Sequence, residues 1–307
     1  MHHADSLPEG WLAFELGVLR RLQFRSVAIP FAGEADLDFN LTRWGVRVAS
    51  NDARQWAATR ARARVAGGAE RLTDDEVDAV LEDAYVPRHR LANESLRARF
   101  GEADAWWFDN VRENVERLAS AERRALALDL GMAVGDYALS FDEGTRHLRQ
   151  PLSRVFRRLR DAQPSPAESR HRHAAANEDA RAFLAREHAD LLFLRLPGSP
   201  RRVPRHAAWS WREEWVRGGD AFWDEFEATG AERLGGLAET RGQYLRHLED
   251  LLAAAGHMPN WAVAHTDDRL VHTDELVETL RRLRRVGTIY TKDFSELTGA
   301  RATIITA

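Results

Sequence analysis

Cysteine is absent from all 307 residues. That excludes a disulfide framework, a thiolate zinc site, an iron-sulfur cluster and a cysteine nucleophile, and leaves any chemistry to oxygen, imidazole or a bound cofactor. Lysine is almost missing as well: Lys292 is the single one, so nearly every cation is an arginine. No apolar run is long enough to span a bilayer, and the start, Met1-His2-His3-Ala4-Asp5, lacks the basic-then-apolar pattern of a secretory leader. A cytoplasmic protein without a membrane partner is expected. Neither a Gly-x-Ser-x-Gly elbow nor a Gly-x-x-x-x-Gly-Lys phosphate loop occurs, which removes the main signals for a serine hydrolase or a nucleoside triphosphatase. What remains is a chain that is 44% hydrophobic with only 10 prolines, long enough for one large domain or a domain carrying an insertion.

The net charge of −4 hides an uneven distribution. Between Arg146 and Arg172 eight arginines face only Asp161 and Glu168, and Arg195 to Arg205 adds four arginines and no acid. A basic region on an acidic body binds a polyanion locally despite net negative charge. Solvated helix faces give the same pattern, and the sequence leaves both readings open.

Ser26-Val27-Ala28-Ile29 reads as a strand stopped by Pro30. Leu37, Phe39, Leu41 and Trp44 then supply the apolar side of a short helix, and Val46 to Ala49 a second strand. Asp52 lies 19 residues beyond Gly33, close to the spacing by which a nucleotide-binding βαβ unit sets a carboxylate on a ribose. An ordinary βαβ unit has the same spacing. From Thr73 the pattern becomes helical: Thr73-Asp74-Asp75-Glu76 has the form of a capping box, and Pro151 opens a basic amphipathic helix through Arg160. Gln163-Pro164-Ser165-Pro166 reads as a linker. The expected organisation is an α/β core built from residues 1–72 and 175–307, with a helical insertion over 73–174. Further strands are expected at Asp190 to Leu194, Trp261 to Ala264, Gly287 to Tyr290 and Ala302 to Thr306, and helices at Asn177 to Arg186 and Asp274 to Leu283.

His171-x-His173 lacks a nearby acidic cluster and reads as a solvated loop rather than a metal site. Trp209, Trp211, Trp215 and Trp223 crowd into 15 residues beside the second basic run. Stacking on unpaired bases is one use for them; the four-residue step from Trp211 to Trp215 favours one buried helix face.

Several segments in order resemble the Dam-type (alpha-group) adenine-specific DNA methyltransferases. Pro30-Phe31-Ala32-Gly33-Glu34-Ala35 is similar to the Phe-x-Gly-x-Gly cofactor loop, Val48 to Asp52 to the second strand with its ribose-binding acid, and Asn177-Glu178-Asp179-Ala180 to the acidic turn that meets the cofactor's adenine. Ala189 to Leu194 resembles the strand leading to the catalytic motif, and Ala255 to Arg269 the family's His-Ile-Pro-x-Trp, strand, Asn-Asp-Arg stretch. The resemblance implies a Rossmann-like S-adenosylmethionine-dependent methyltransferase fold with a target-recognition-like insertion. It assigns Phe31, Gly33, Asp52 and Asp179 to S-adenosylmethionine, with no metal.

The match fails where the chemistry would be. In place of Asp-Pro-Pro-Tyr the chain has Arg195-Leu196-Pro197-Gly198. Methyl transfer to adenine's amine needs acceptors that hold the amine and a ring that stacks on the flipped base. Arginine offers only donors and stays charged, and Gly198 has no ring. Ala35 further replaces the second loop glycine, and the family's N-terminal Gly-x-Lys element has no counterpart in Gly10-Trp11-Leu12-Ala13-Phe14. The expectation is a methyltransferase-like protein without catalysis that binds double-stranded DNA or a protein partner, as a subunit beside an active methyltransferase or in a restriction-modification or defence assembly. Arg154, Arg157, Arg158, Arg201 and Arg202 are the expected phosphate-binding residues. The alternative is an active S-adenosylmethionine-dependent DNA adenine methyltransferase with an atypical motif and a relocated acceptor, or an enzyme acting on another substrate; Glu213 and Glu214 lie downstream of the motif, and nothing in the sequence places them in the pocket.

Overall fold

The computed structural model describes residues 10–66, 70–164, 171–198, 204–230, 233–234, 236, 240–266, 270–294 and 301–307. Arg201 and Arg202 lie outside the described residues, as does part of the expected linker. Seven strands, β1 (Ser26–Ile29), β2 (Arg47–Asn51), β3 (Ala174–Ala176), β4 (Leu191–Arg195), β5 (Asn260–Thr266), β6 (Ile289–Asp293) and β7 (Arg301–Thr306), form one sheet in the order β3-β2-β1-β4-β5-β7-β6. Neighbours from β3 to β5 run parallel, with Ser26 beside Arg47 and Leu191 beside Asn260; β7 runs antiparallel to both β5 and β6. The fold is mixed α/β with a mostly parallel sheet, compatible with a Rossmann-like arrangement.

Strict alternation makes the sheet two-faced. Val27, Ile29, Leu191, Phe193, Ala262 and Ile304 point into one core, shared with α1 (Trp11–Leu19) and α2 (Asp36–Thr42). Ala28, Leu192, Leu194, Trp261, Val263 and Ile305 point into the other, covered by α8 (Ala180–Arg186), α11 (Arg241–Ala254) and α12 (Thr273–Leu283). Period-two side chains on a sheet covered on both sides give the near-continuous apolar runs read in the sequence.

A third core is helical. It gathers α3 (Gln55–Ala61), α4 (Asp74–Leu81), α5 (Glu102–Val115), α6 (Ala121–Leu139), α7 (Leu152–Asp161) and α9 (Ser210–Arg217), so it reaches past residues 73–174 on both sides. The capping box at α4 is complete: Glu76 N–H donates to Thr73 Oγ1 at 3.2 Å and Thr73 N–H to Glu76 Oε2 at 2.9 Å. Among the described residues no helix is long and apolar enough to cross a membrane.

The crowded tryptophans belong to this core. Trp211 and Trp215 are buried, and Trp215 Nε1 donates to the Phe108 carbonyl at 2.8 Å. They fit because α6 has Gly131 and Gly135 opposite: a Cβ at either glycine would stand 2.1 Å from Trp215 or Trp211 respectively. These two rings thus form the buried helix face that their four-residue step favours. Trp223, in α10 (Trp223–Gly230), is buried too, with its Nε1 held by Glu214 at 2.9 Å.

Candidate functional site

The strand order reverses its direction of growth between β1 and β4, and in open parallel sheets ligands bind outside the carboxyl ends at such a switch point. The matched residues all lie along that edge: Phe31 and Gly33 follow β1, Asp52 follows β2, Asp179 follows β3, and Arg195 ends β4. Gly33 and Ala35 both hold left-handed backbone, with φ of 55° and 56°. The loop therefore keeps a glycine-like shape at Ala35 although its methyl makes that shape costly, on the order of 1 kcal/mol.

Asp52 is buried, and its carboxylate is fully engaged. Oδ2 accepts from Gly33 N–H at 3.0 Å and Arg54 Nη2 at 2.9 Å; Oδ1 accepts from Arg54 N–H at 3.0 Å and Arg54 Nε at 2.9 Å. Four bonds fill a carboxylate's acceptor capacity. The Arg54 guanidinium is further held 5.4 Å from the ring centres of both Trp56 and Trp209. A ribose diol meets no free oxygen on Asp52 while Arg54 stays there, so these residues as arranged do not fit the ribose of S-adenosylmethionine. Asp179 is engaged as well, capping α8 through Arg181 N–H at 3.0 Å and Ala182 N–H at 3.1 Å, and pairing with Arg233 at 3.1 Å.

Arg195 turns toward α1. Its Nε and Nη2 donate to the two carboxylate oxygens of Glu15 at 2.8 and 2.6 Å, and Trp11 Nε1 donates to the same carboxylate at 2.6 Å. Glu15 is 0% exposed. Burial alone would lower the pKa of Arg195, but Glu15 and then Asp38 carry it above its usual value. Asp38 lies buried nearby, hydrogen-bonded by the Ser50 hydroxyl; burial pushes its carboxyl up to about 6, against the pull of Ser50 and Arg195. The switch point is thus filled by a closed set of charges.

Sequence reasoning missed Glu15 and Arg54. A lone acid in the apolar helix Trp-Leu-Ala-Phe-Glu-Leu-Gly-Val-Leu was the signal for Glu15; nothing in the spacing marks Arg54. Glu213 and Glu214 both have partners among the helices. Glu213 accepts from Gln55 and Trp56 N–H at 2.9 and 2.8 Å, capping α3, and from Arg217 Nε at 2.7 Å, while Glu214 holds Trp223.

On α7, Leu152, Val155 and Phe156 are buried and Arg154, Arg157 and Arg158 are exposed. Arg157 pairs with Asp78 at 2.7 Å across a solvated surface, an interaction of small energy that a phosphate can displace. His173 Nδ1 accepts from Val48 N–H at 3.2 Å, tying the loop to the sheet edge. Among the described residues no group of three or more His, Asp or Glu side chains is placed to hold a metal ion. Two cavities, of about 220 and 280 Å³, lie against the helical core, and neither is lined by Gly33, Asp52 or Arg195. No family model matches the chain, and no curated protein matches it.

Proposed function

We propose that this chain is a non-catalytic protein on a methyltransferase-like scaffold, and that it holds double-stranded DNA or a protein partner, as a subunit beside an active methyltransferase or in a restriction-modification or defence assembly. The observation that carries the reading is the half-buried Arg195 bound through two nitrogens to the fully buried Glu15 at the end of β4. A side chain with only donors stands where an amine would need an acceptor, and it is locked in place by its own counter-ion. The engagement of Asp52 by Arg54 supports the same reading on the cofactor side, and the exposed arginines of α7 supply a surface for phosphates.

Calorimetric titration with S-adenosylmethionine tests it, together with transfer of labelled methyl to duplex DNA of varied sequence. No saturable binding at millimolar ligand and no transfer are expected from the wild type; Arg54→Ala, which frees Asp52, is the variant in which weak binding would first be gained. Methyl transfer by the wild-type chain, abolished by Asp52→Ala, would overturn the proposal in favour of an active enzyme with an atypical motif.

A further inference from the structure

The larger cavity, about 280 Å³, is walled by one stripe of α3 and its continuation, one stripe of α6 and the last turn of α5. Gln55, Thr59 and Arg62 come from the first, Arg124 from the second, Arg112 and Glu116 from the third. Alanines at 58, 121 and 125 contribute short side chains to the wall. Three arginines and one carboxylate line the cavity, and that carboxylate is paired with Arg112.

The imbalance is local. Arg60 and Arg64, on the same segment, are neutralised by Glu34, Asp36 and Asp129. Arg62 has no ion-pair or hydrogen-bond partner among the described residues, and the same holds for the Gln55 and Thr59 side chains. Arg124 spends a single nitrogen on the Leu118 carbonyl at 2.8 Å. Arg62 also opens a π-helical turn, Arg62–Ala66, a local widening that recurs at functional sites.

We propose that this cleft binds a phosphate group. Guanidinium forks match phosphate oxygens in pairs and keep their charge at any accessible pH, and the Thr59 hydroxyl and Gln55 amide supply further donors. A phosphate monoester dianion balances the surplus of two positive charges, whereas a carboxylate or a single backbone phosphodiester, each with one negative charge, balances half of it. The volume is at the small end for ligand sites, so the phosphate sits inside and whatever it esterifies lies outside, whether a free nucleotide or the backbone of DNA. Asn177 also lines the cleft and its amide donates to the Asp52 and Ala53 carbonyls at the strand ends, but Arg62 and Arg124 stand outside the strand-end site, so the cleft can fail without the scaffold reading failing.

The test is thermal unfolding of the full chain at fixed ionic strength as chloride is exchanged for inorganic phosphate. A saturable rise in Tm is expected for the wild type, and binding at least about tenfold weaker for Arg62→Gln and Arg124→Gln singly. The double variant should lose the rise while unfolding, without phosphate, at a temperature equal to or above the wild type, because repulsion has been removed; arginines with a purely structural role would lower it. No saturable rise, or the same rise in the double variant, overturns the proposal, the latter being a general salt effect. A nucleoside monophosphate and a short labelled duplex then identify the source: weaker duplex binding in the double variant assigns a backbone phosphate, and loss of monophosphate binding alone a free ester.

Discussion

Arg195 and Glu15 illustrate how a buried charge constrains its neighbours. A pair this buried gives little net stability relative to apolar side chains, but removing one partner leaves an uncompensated charge costing about 3–5 kcal/mol. Glu15→Gln should therefore lower unfolding stability by an amount of that order, and Glu15→Leu combined with Arg195→Met should recover most of it, as read by urea midpoints. The same coupling means that putting an aspartate back at 195 would set two carboxylates against each other unless Glu15 changes too. Asp38 adds a pH dependence. Its folded pKa of about 6 lies above the ordinary aspartate value of 3.8, so its contribution is fully present below about pH 4 and is lost as pH rises through about 6. Asp38→Asn should accordingly raise Tm more at pH 8 than at pH 4.5, with a difference on the order of 2–3 kcal/mol. An equal shift at both pH values would show that Asp38 titrates normally.

Between elements, the fit of α9 onto α6 depends on two glycines spaced to meet two tryptophans. In a solvated helix, alanine at such a position would stabilise by about 1 kcal/mol. Here the methyl would overlap an indole, and overpacking costs typically about 1–3 kcal/mol. Gly135→Ala is expected to lower the urea midpoint, and Trp211→Leu in the same chain to restore part of it by opening space. The four-residue step in α9 was visible in the sequence; its partner step in α6 gained meaning only once the helices faced each other. Strand β3 shows the opposite limit. Three alanines carry no strand preference, and Ala174–Ala176 becomes a strand by pairing with Ala49, Ser50 and Asn51 of β2.

For the whole molecule, the loop after β1 is tied to the helical core by ion pairs: Glu34 with Arg60 and Arg212, and Asp36 with Arg64. The arginines of α7 stand apart from this network and should report on DNA. Replacing Arg154, Arg157 and Arg158 by glutamine should weaken duplex binding across all sequences and reduce the salt slope by about 1 for each phosphate no longer neutralised, measured by fluorescence anisotropy at several salt concentrations; an unchanged slope would remove α7 from the interface. Strands β1, β2, β4, β5, β6 and β7 and the start of α4 were legible because alternation of period two and the capping box at Thr73 are local properties, whereas α1, β3 and α11 were not read from the sequence. The donor-only chemistry of Arg195 was legible too, since side-chain chemistry does not depend on the fold. Where Arg195 points was settled by Glu15, 180 positions away, and part of the filling of Asp52 by Gly33, 19 positions away. Charge pairing acts through space, and only the folded chain decides which charges meet.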